Sequence, residues 1–209
     1  QYVQALASQG LGVGSRVAVI SGNRPEVLYN IAASSISGLC TTALHPLGSL
    51  DDHAYMIEDA GIDTLIFDPQ GFEQRAKELK ERVPGLNRFL AFGPSEVGVD
   101  YPKLAETFEP KPLVAAEISP EDLNTIVYTG GTTGRPKGVI QPFRSGAYMT
   151  MVQMAEWEFP EEIRFLIATP LSHAAAAVFV PTLQKGGALY VMKGFTPDAF
   201  FDMVEQHAI

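Results

Sequence analysis

Residues 128–138, YTGGTTGRPKG, bring together the residue types that a polyphosphate requires. Gly130, Gly131 and Gly134 permit backbone conformations that other residues avoid, so several N–H groups can turn toward one anion. The threonine hydroxyls add hydrogen-bond donors, and a lysine adds positive charge at the end of the segment. The pattern predicts a phosphate-binding loop. The predicted contacts are Thr129, Gly130, Gly131, Thr132, Thr133, Gly134 and Lys137.

Two other interpretations of this segment are weaker. A Walker A loop needs Gly-Lys followed by serine or threonine, whereas Lys137 stands between Pro136 and Gly138. A glycine-rich turn joining two strands is the purely structural alternative. The specific residue types across the whole segment favour the phosphate loop over such a turn.

The elements around the loop alternate between short apolar runs and amphipathic stretches, which predicts an α/β fold with mostly parallel sheets and flanking helices. The predicted strands are 17–20, 39–44, 63–67, 87–92, 125–129, 163–169 and 188–192. The predicted helices are 25–37, 50–60, a stretch through 72–83, 147–157, 174–184 and a last helix capped by Thr196.

Residues 93–122 interrupt this alternation with five prolines and several acids. They predict an irregular Pro-rich connection between a first α/β lobe, 1–92, and a second, 123–209, which begins with the strand before the phosphate loop. The alternative is a loop excursion within one domain, and the sequence leaves it open.

The composition of the 209 residues, with 46% hydrophobic and 19% charged, is that of a globular protein. The net charge of −9 argues against a nucleic-acid partner. The single cysteine, Cys40, cannot form an intrachain disulfide, which favours a cytoplasmic location. No apolar run approaches the ~20 residues of a membrane span. Nothing in the sequence specifies an oligomeric state. The chain opens and closes within patterned segments, so we expect a piece of a longer protein.

The segment YTGGTTGRPKG resembles the signature of the adenylate-forming superfamily, which includes acyl-CoA synthetases, luciferases and the adenylation domains of peptide synthetases. The usual form of that signature has serine where this sequence has Gly130. The substitution removes one hydroxyl and keeps the backbone donors. We therefore expect one phosphate contact to be weakened or rerouted.

The resemblance extends along the whole chain. Residues 11–20, LGVGSRVAVI, and 170–173, PLSH, are similar to family segments, and so is the glycine-rich turn, strand and capped helix that begins at residue 186. His45-Pro46 stands where an Asn-Pro type of turn is usual. The chain therefore resembles part of the large N-terminal domain and less than half of a complete member, most like an acyl-CoA synthetase.

The resemblance implies ATP-dependent activation of a carboxylic acid, most simply a fatty acid, to an acyl-adenylate and its transfer to coenzyme A. ATP, Mg²⁺ and coenzyme A are the implied cofactors, and the acid is the implied partner. An adenylation domain or acyl-AMP ligase that feeds a carrier protein is one alternative. A non-catalytic nucleotide-binding module is another.

The resemblance also assigns roles to single residues. Lys137 is implied as the catalytic cation, and His173 as a residue of the acid site; a histidine that caps the following helix is its structural alternative. His45 and His53 have no other potential metal ligands near them in the sequence and are interpreted as structural or solvated. The family's adenine segment, ribose aspartate and C-terminal domain are not found in the sequence. We therefore expect these 209 residues alone to be inactive.

Overall fold

The computed structural model describes residues 1–130 and 135–209. The strands are β1 (Arg16–Ile20), β2 (Cys40–Ala43), β3 (Thr64–Phe67), β4 (Arg88–Ala91), β5 (Val99–Asp100), β6 (Leu123–Thr129), β7 (Lys137–Pro142), β8 (Arg164–Ile167) and β9 (Ala188–Val191). The helices are α1 (Tyr2–Ser8), α2 (Pro25–Ile36), α3 (Leu50–Asp59), α4 (Pro69–Arg82), α5 (Tyr101–Glu106), α6 (Phe143–Glu156), α7 (Phe179–Gln184) and α8 (Pro197–His207), with a 3₁₀ helix at Ala174–Val178.

The described strands form two sheets. The larger has the order β5-β4-β3-β1-β2-β6-β7, and the smaller pairs β8 with β9. Every neighbouring pair is parallel except β6 and β7. The predicted α/β fold with mostly parallel sheets is thereby confirmed.

Helices cover both faces of the larger sheet. The connection from β1 to β2 runs in one direction along the sheet, and the connection from β2 to β3 runs in the other. Right-handed crossovers therefore place α2 and α3 on opposite faces. Ile57 of α3 and Leu79 of α4 lie in one core, and Leu28 of α2 lies in the other with Tyr101 of α5. All four residues of β3 are buried, as expected for a parallel strand covered on both faces.

The helix starts follow local capping chemistry. The Ser49 hydroxyl accepts the N–H of Asp52 at 3.0 Å at the start of α3, and Thr196 accepts the N–H of Ala199 at 3.3 Å at the start of α8. Gly61 follows α3 with a φ of +61°, which other residues rarely adopt. The Thr196 cap agrees with the sequence prediction.

The prediction of an irregular connection over 93–122 is wrong in part. Val99–Asp100 adds an edge strand to β4, and Tyr101–Glu106 forms a helix whose first turn is capped by the Asp100 carboxylate, which accepts the N–H of Lys103 at 3.1 Å. Tyr101 is completely buried. The aspartate cap and Pro102 were the local signals for this helix.

The hairpin after the phosphate loop also departs from the prediction. Lys137–Pro142 forms the antiparallel strand β7, which the sequence prediction had not assigned, and α6 begins at Phe143 rather than at residue 147. Strand β6, which pairs with β7, also pairs with β2. The larger sheet therefore continues past residue 92 into the segment assigned to the second lobe. The division into lobes itself stays a prediction.

A single helix over 174–184 was predicted, and the structure divides it into a 3₁₀ helix and α7. Pro181 explains the break, because proline has no N–H to donate and tolerates only the first turn of an α-helix. It occupies that turn in α7. Within the described residues, no helix is both long enough and apolar enough to cross a membrane.

Candidate functional site

The β6–β7 hairpin fixes both ends of the predicted phosphate loop. Thr129, the last residue of β6, stands opposite Lys137, the first residue of β7, and both are exposed. None of the ion pairs found among the described residues involves Lys137. The side chains of Thr129 and Lys137 therefore lie side by side at the two ends of the predicted phosphate loop. Gly131, Thr132, Thr133 and Gly134 lie outside the described residues, and their predicted phosphate contacts stay predictions.

Gly138 allows the two strands of the hairpin to approach closely. A Cβ at this position would lie 2.9 Å from Cγ2 of Ile126 and 3.2 Å from Cζ of Tyr128. Real Cβ atoms essentially never come within 3.0 Å of another heavy atom. Glycine therefore lets β7 pass beside the Tyr128 ring.

Helix α3 contacts residues on both sides of the predicted phosphate loop. The Tyr128 hydroxyl donates to Oδ2 of Asp59 at 2.5 Å, and the Arg135 guanidinium lies 5.2 Å from the ring centroid of Tyr55. Burial, the hydrogen bond to Asp59 and the Asp59 charge raise the pKa of Tyr128 well above its usual value. The phenol therefore stays a neutral donor at physiological pH, and it attaches the end of β6 to α3.

Gly130 has room for a side chain. A Cβ there would meet no heavy atom within 4 Å of it, and its φ lies outside the left-handed range that favours glycine. The departure from the usual serine is thus not imposed by the backbone or by the described neighbours.

We predict that Gly130→Ser leaves the melting temperature unchanged and lowers the KM for ATP about two- to tenfold, because a neutral hydrogen bond contributes roughly 0.5–1.5 kcal/mol. ATP-dependent kinetics of a full-length enzyme carrying this chain would measure it. Gly130→Ala is the matched control, since it adds the Cβ without the hydroxyl. A serine variant that behaves like the alanine variant would contradict the prediction.

The carboxyl ends of parallel strands meet at one edge of the larger sheet, and the polar residues that follow them gather there. Asn23 follows β1, and His45 follows β2. The Asn23 amide donates to the carbonyl of Thr169 at 2.9 Å and accepts the N–H of Leu171 at 2.8 Å. One side chain therefore ties the segment before His173 to the larger sheet.

His173 lies at this edge and is exposed. Its Nδ1 lies 3.0 Å from the Ser172 hydroxyl, and its ring meets the His45 ring edge to face, with centroids 5.0 Å apart and planes at 78°. His173 precedes the 3₁₀ helix, but its side chain makes no capping hydrogen bond to it. The structural alternative of a helix-capping histidine is therefore not supported.

His53 is completely buried behind the turn that carries His45. Its Nε2 lies 2.9 Å from the His45 carbonyl and donates to it, so Nδ1 accepts from Arg75 Nη1 at 2.7 Å. Arg75 Nη1 also donates to the carbonyl of Gly48 at 2.9 Å. Burial lowers the pKa of His53; the bond to His45 opposes this shift, and the Arg75 charge adds to it. A neutral His53 thus holds residues 45–48 in place.

We predict that acid weakens this support. The folded-state pKa of His53 is lower than its ordinary 6.5, so the unfolded chain takes up the proton first. The stability contributed by a neutral His53 is complete above pH 6.5 and declines as the pH falls below it. Melting temperatures of wild type and His53→Gln across this range would show a smaller decline in the variant, because glutamine keeps an uncharged donor. Parallel curves would contradict the prediction.

Sequence reasoning missed Asn23 as a tether and assigned His45 no part in the site. The strand-end position of each residue was the available signal, because parallel strands converge at that edge. Their partners are more than a hundred residues away in the chain, so local pattern could not identify the contacts.

The open cavity of about 1040 Å³ beside α4 and α5 does not include the predicted site residues. Its lining carries five carboxylates against the three cations Arg24, Lys77 and Lys103, and Arg24 and Lys77 are already paired with Glu26 and Glu96, so it offers no excess of positive charge to a polyphosphate. In the described ranges, no group of three or more histidine, cysteine or acidic residues is placed to hold a metal ion.

A mostly parallel sheet with helices on both faces and an antiparallel hairpin at one edge defines the class of the protein as α/β. The chain belongs to the AMP-binding enzyme family, whose model matches residues 1–209.

Proteins of named activity resemble the chain at different levels of sequence identity. The chain is 48% identical over 215 residues to the medium/long-chain fatty-acid–CoA ligase FadD8 of Mycobacterium tuberculosis, covering all of this chain and 38% of that protein. It is 29% identical to feruloyl-CoA synthase of Amycolatopsis sp, covering 100% of this chain and 40% of the relative. The amide bond synthetase McbA of Marinactinospora thermotolerans superposes with a TM-score of 0.87 at 29% identity, over 99% of this chain and 41% of McbA. The chain thus spans about two fifths of the proteins it matches.

Proposed function

We propose that this chain is the ATP-holding part of an enzyme that activates a carboxylic acid to an acyl-adenylate and transfers the acyl group to coenzyme A. The observation that carries the proposal is the hairpin register, which sets Thr129 opposite Lys137 at the carboxyl edge of the sheet. The family membership and the 48% identical relative support the reaction class. That relative's name favours a medium- or long-chain fatty acid as the substrate.

In the proposed reaction the carboxylate oxygen attacks the α-phosphorus of ATP, and the bond to pyrophosphate breaks. Thr129 and the backbone of the loop bind the β- and γ-phosphates. Lys137 offsets the negative charge that grows on the departing pyrophosphate, an effect that is strongest where water is excluded. The sulfur of coenzyme A then attacks the acyl carbon, and AMP leaves.

Magnesium enters this proposal as the counter-ion of ATP. The described residues around the loop offer no carboxylate set for it. The phosphates themselves are suitable hard oxygen ligands. We therefore assign none of these residues as a magnesium ligand.

His173 forms part of the acid site in this proposal. It lies on the same sheet edge as the strand ends that lead to the loop, and Ala174–Val178 follows it with small apolar side chains. An exposed imidazole can donate a hydrogen bond to a carboxylate oxygen. The alanine side chains offer apolar contacts to an acyl chain.

The direct test is acid-dependent ATP–pyrophosphate exchange by a full-length enzyme that carries this chain, with medium- and long-chain fatty acids and ferulate as substrates. Strong exchange with the fatty acids supports the proposal. ATP binding without any acid-dependent exchange would favour the non-catalytic nucleotide-binding module instead.

Two other acceptors of the acyl group are possible alternatives to coenzyme A. One is an amine, because the superposed McbA is an amide bond synthetase. The other is an acyl carrier protein. A panel of coenzyme A, a phosphopantetheinylated carrier protein and simple amines would separate these cases. Thioester formation with free coenzyme A is the expected result. A cytoplasmic location also belongs to the proposal and rests on Cys40 being the only cysteine.

We further predict that the 209 residues alone show no acid-dependent exchange. They span about two fifths of these relatives, and the adenine segment and ribose aspartate that the family resemblance implies are not found among them. The exchange assay on the isolated chain, beside the full-length enzyme, would measure this. Robust exchange by the isolated chain would overturn the prediction.

A further inference from the structure

We infer that His45 is a positioning residue for His173, holding the imidazole of the acid site in one orientation through ring contact. This inference rests on the proposed function, in which His173 faces the acid. The two rings stand edge to face, 5.0 Å between centroids, although the residues are far apart in sequence. Such aromatic geometry is favoured because a ring edge is electropositive and a ring face electronegative.

His173 needs external support. Its side chain is exposed and makes no hydrogen bond to the helix that follows it, and its polar contact among the described residues is the neighbouring Ser172 hydroxyl. A serine one residue away moves with the same segment. The His45 ring, by contrast, belongs to the turn that follows β2 and can fix the angle of the imidazole relative to the larger sheet.

Hydrogen bonds hold the turn that carries His45, whose side chain is exposed. Its Nδ1 accepts the N–H of Leu47 at 3.1 Å, which closes a side-chain turn. Its carbonyl accepts the Nε2–H of the buried His53, which is held in turn by Arg75. Gly48 completes the turn in a place where a Cβ would lie 2.4 Å from Nε2 of His53. The backbone of His45 is therefore tied to the interior through His53, and its ring is oriented by the bond to the Leu47 N–H.

The segment that carries His173 is attached to the same sheet a second time. Asn23, at the end of β1, binds the backbone on both sides of Pro170. Asn23 fixes the position of the backbone, and His45 fixes the direction of the side chain. Together they assign the turn at 45–48 a part in the acid site, although its residues lie far from the loop in sequence.

Two substitutions separate the ring contact from the turn. His45→Asn keeps a side-chain acceptor for the Leu47 N–H, since asparagine forms the same kind of local turn, and it removes the ring. His45→Phe keeps a ring and removes the acceptor. His207→Asn is the matched control, because His207 also packs on an aromatic ring, that of Tyr190 at 4.4 Å, on a different element.

In the full-length enzyme, we expect His45→Asn to lower kcat/KM for the acid about tenfold, since misplacing a substrate-contacting group by a fraction of an ångström is costly. His45→Phe should remain within about threefold of wild type, and its effect should be the smaller. The KM for ATP should not change in either variant. In a His173→Ala background, His45→Asn should have no further effect, because the group it positions is gone.

A second measurement is independent of turnover. The ring C–H proton resonances of His173 should shift in His45→Asn, where the neighbouring ring current is lost, and shift less in His45→Phe. His207→Asn should leave both these resonances and the kinetics unchanged.

The outcomes distinguish this inference from the proposed function. If His173→Ala impairs acid activation but His45→Asn behaves like wild type, the inference is overturned and the proposed function stands. The inference is also overturned if His45→Phe is worse than His45→Asn, because the turn rather than the ring would then matter. If His173→Ala has no effect on any acid, the assignment of His173 to the acid site fails, and the role of His45 fails with it.

Discussion

Replacing Lys137 by alanine is expected to lower acid-dependent ATP–pyrophosphate exchange by about 10²–10³-fold, the effect of removing one preorganised charge stabiliser at a transition state. Lys137 is exposed at the start of β7, opposite Thr129, and none of the ion pairs among the described residues includes it. Its removal should cost catalysis without costing stability. Exchange kinetics and the melting temperature of the full-length enzyme would be measured together.

Lys111→Ala is the control for this experiment, because Lys111 is an exposed lysine in the connection between α5 and β6. It should leave exchange unchanged. Lys137→Arg should recover part of the activity, since the charge is kept while its shape and reach differ. Normal exchange in Lys137→Ala, at normal stability, would refute the assigned role.

Gly138→Val is expected to be the most damaging single change in the hairpin. A Cβ would approach Ile126 to 2.9 Å and the Tyr128 ring to 3.2 Å, and the branched side chain adds more volume beside them. Overpacking of this kind costs about 1–3 kcal/mol. Ile126 must shift, and the Tyr128 ring must give way by a few tenths of an ångström, which strains the hydrogen bond of its hydroxyl to Asp59.

Exchange activity should therefore fall about tenfold or more in Gly138→Val, because the strand that starts with Lys137 is displaced. The melting temperature should fall as well. Gly146→Ala in α6 is the matched control: its Cβ would meet only Nδ2 of Asn124 at an ordinary 3.5 Å, and alanine in a helix is about 0.5–1 kcal/mol better than glycine. A Gly138→Val enzyme as stable and active as wild type would show that the close approach is unimportant.

The sequence predicted the alternation of strands and helices well, because parallel strands buried on both faces read as continuous apolar runs. Thr64–Phe67 is the clearest case. It predicted less well where an element depends on a distant partner. Strand β7 is exposed along most of its length and has no apolar run of its own; it exists because β6 pairs with it.

The candidate site likewise has a part that a local sequence pattern predicts and a part that depends on distant residues. The loop is a local pattern, so its residue types were readable in order along the chain. The environment of His173 is not local, because it depends on Asn23 and His45, which follow different strands. Their spacing in sequence is set by whole βα units, and the sheet order that brings them together is a tertiary property.

The close passage of β7 beside Tyr128 has a further consequence for how the lysine is placed. Tyr128 stands opposite Gly138 in the hairpin ladder. A slip of one residue would set Lys137 or Val139 there, where a Cβ lies 2.9 Å from Cγ2 of Ile126 and 3.2 Å from the Tyr128 ring, so both residues are disfavoured at this place. Gly138 therefore helps to fix the register in which β6 and β7 pair. The place of the Lys137 charge is therefore set by the strand register rather than by the residues of the loop, so a glycine or a serine at position 130 leaves the charge in the same place.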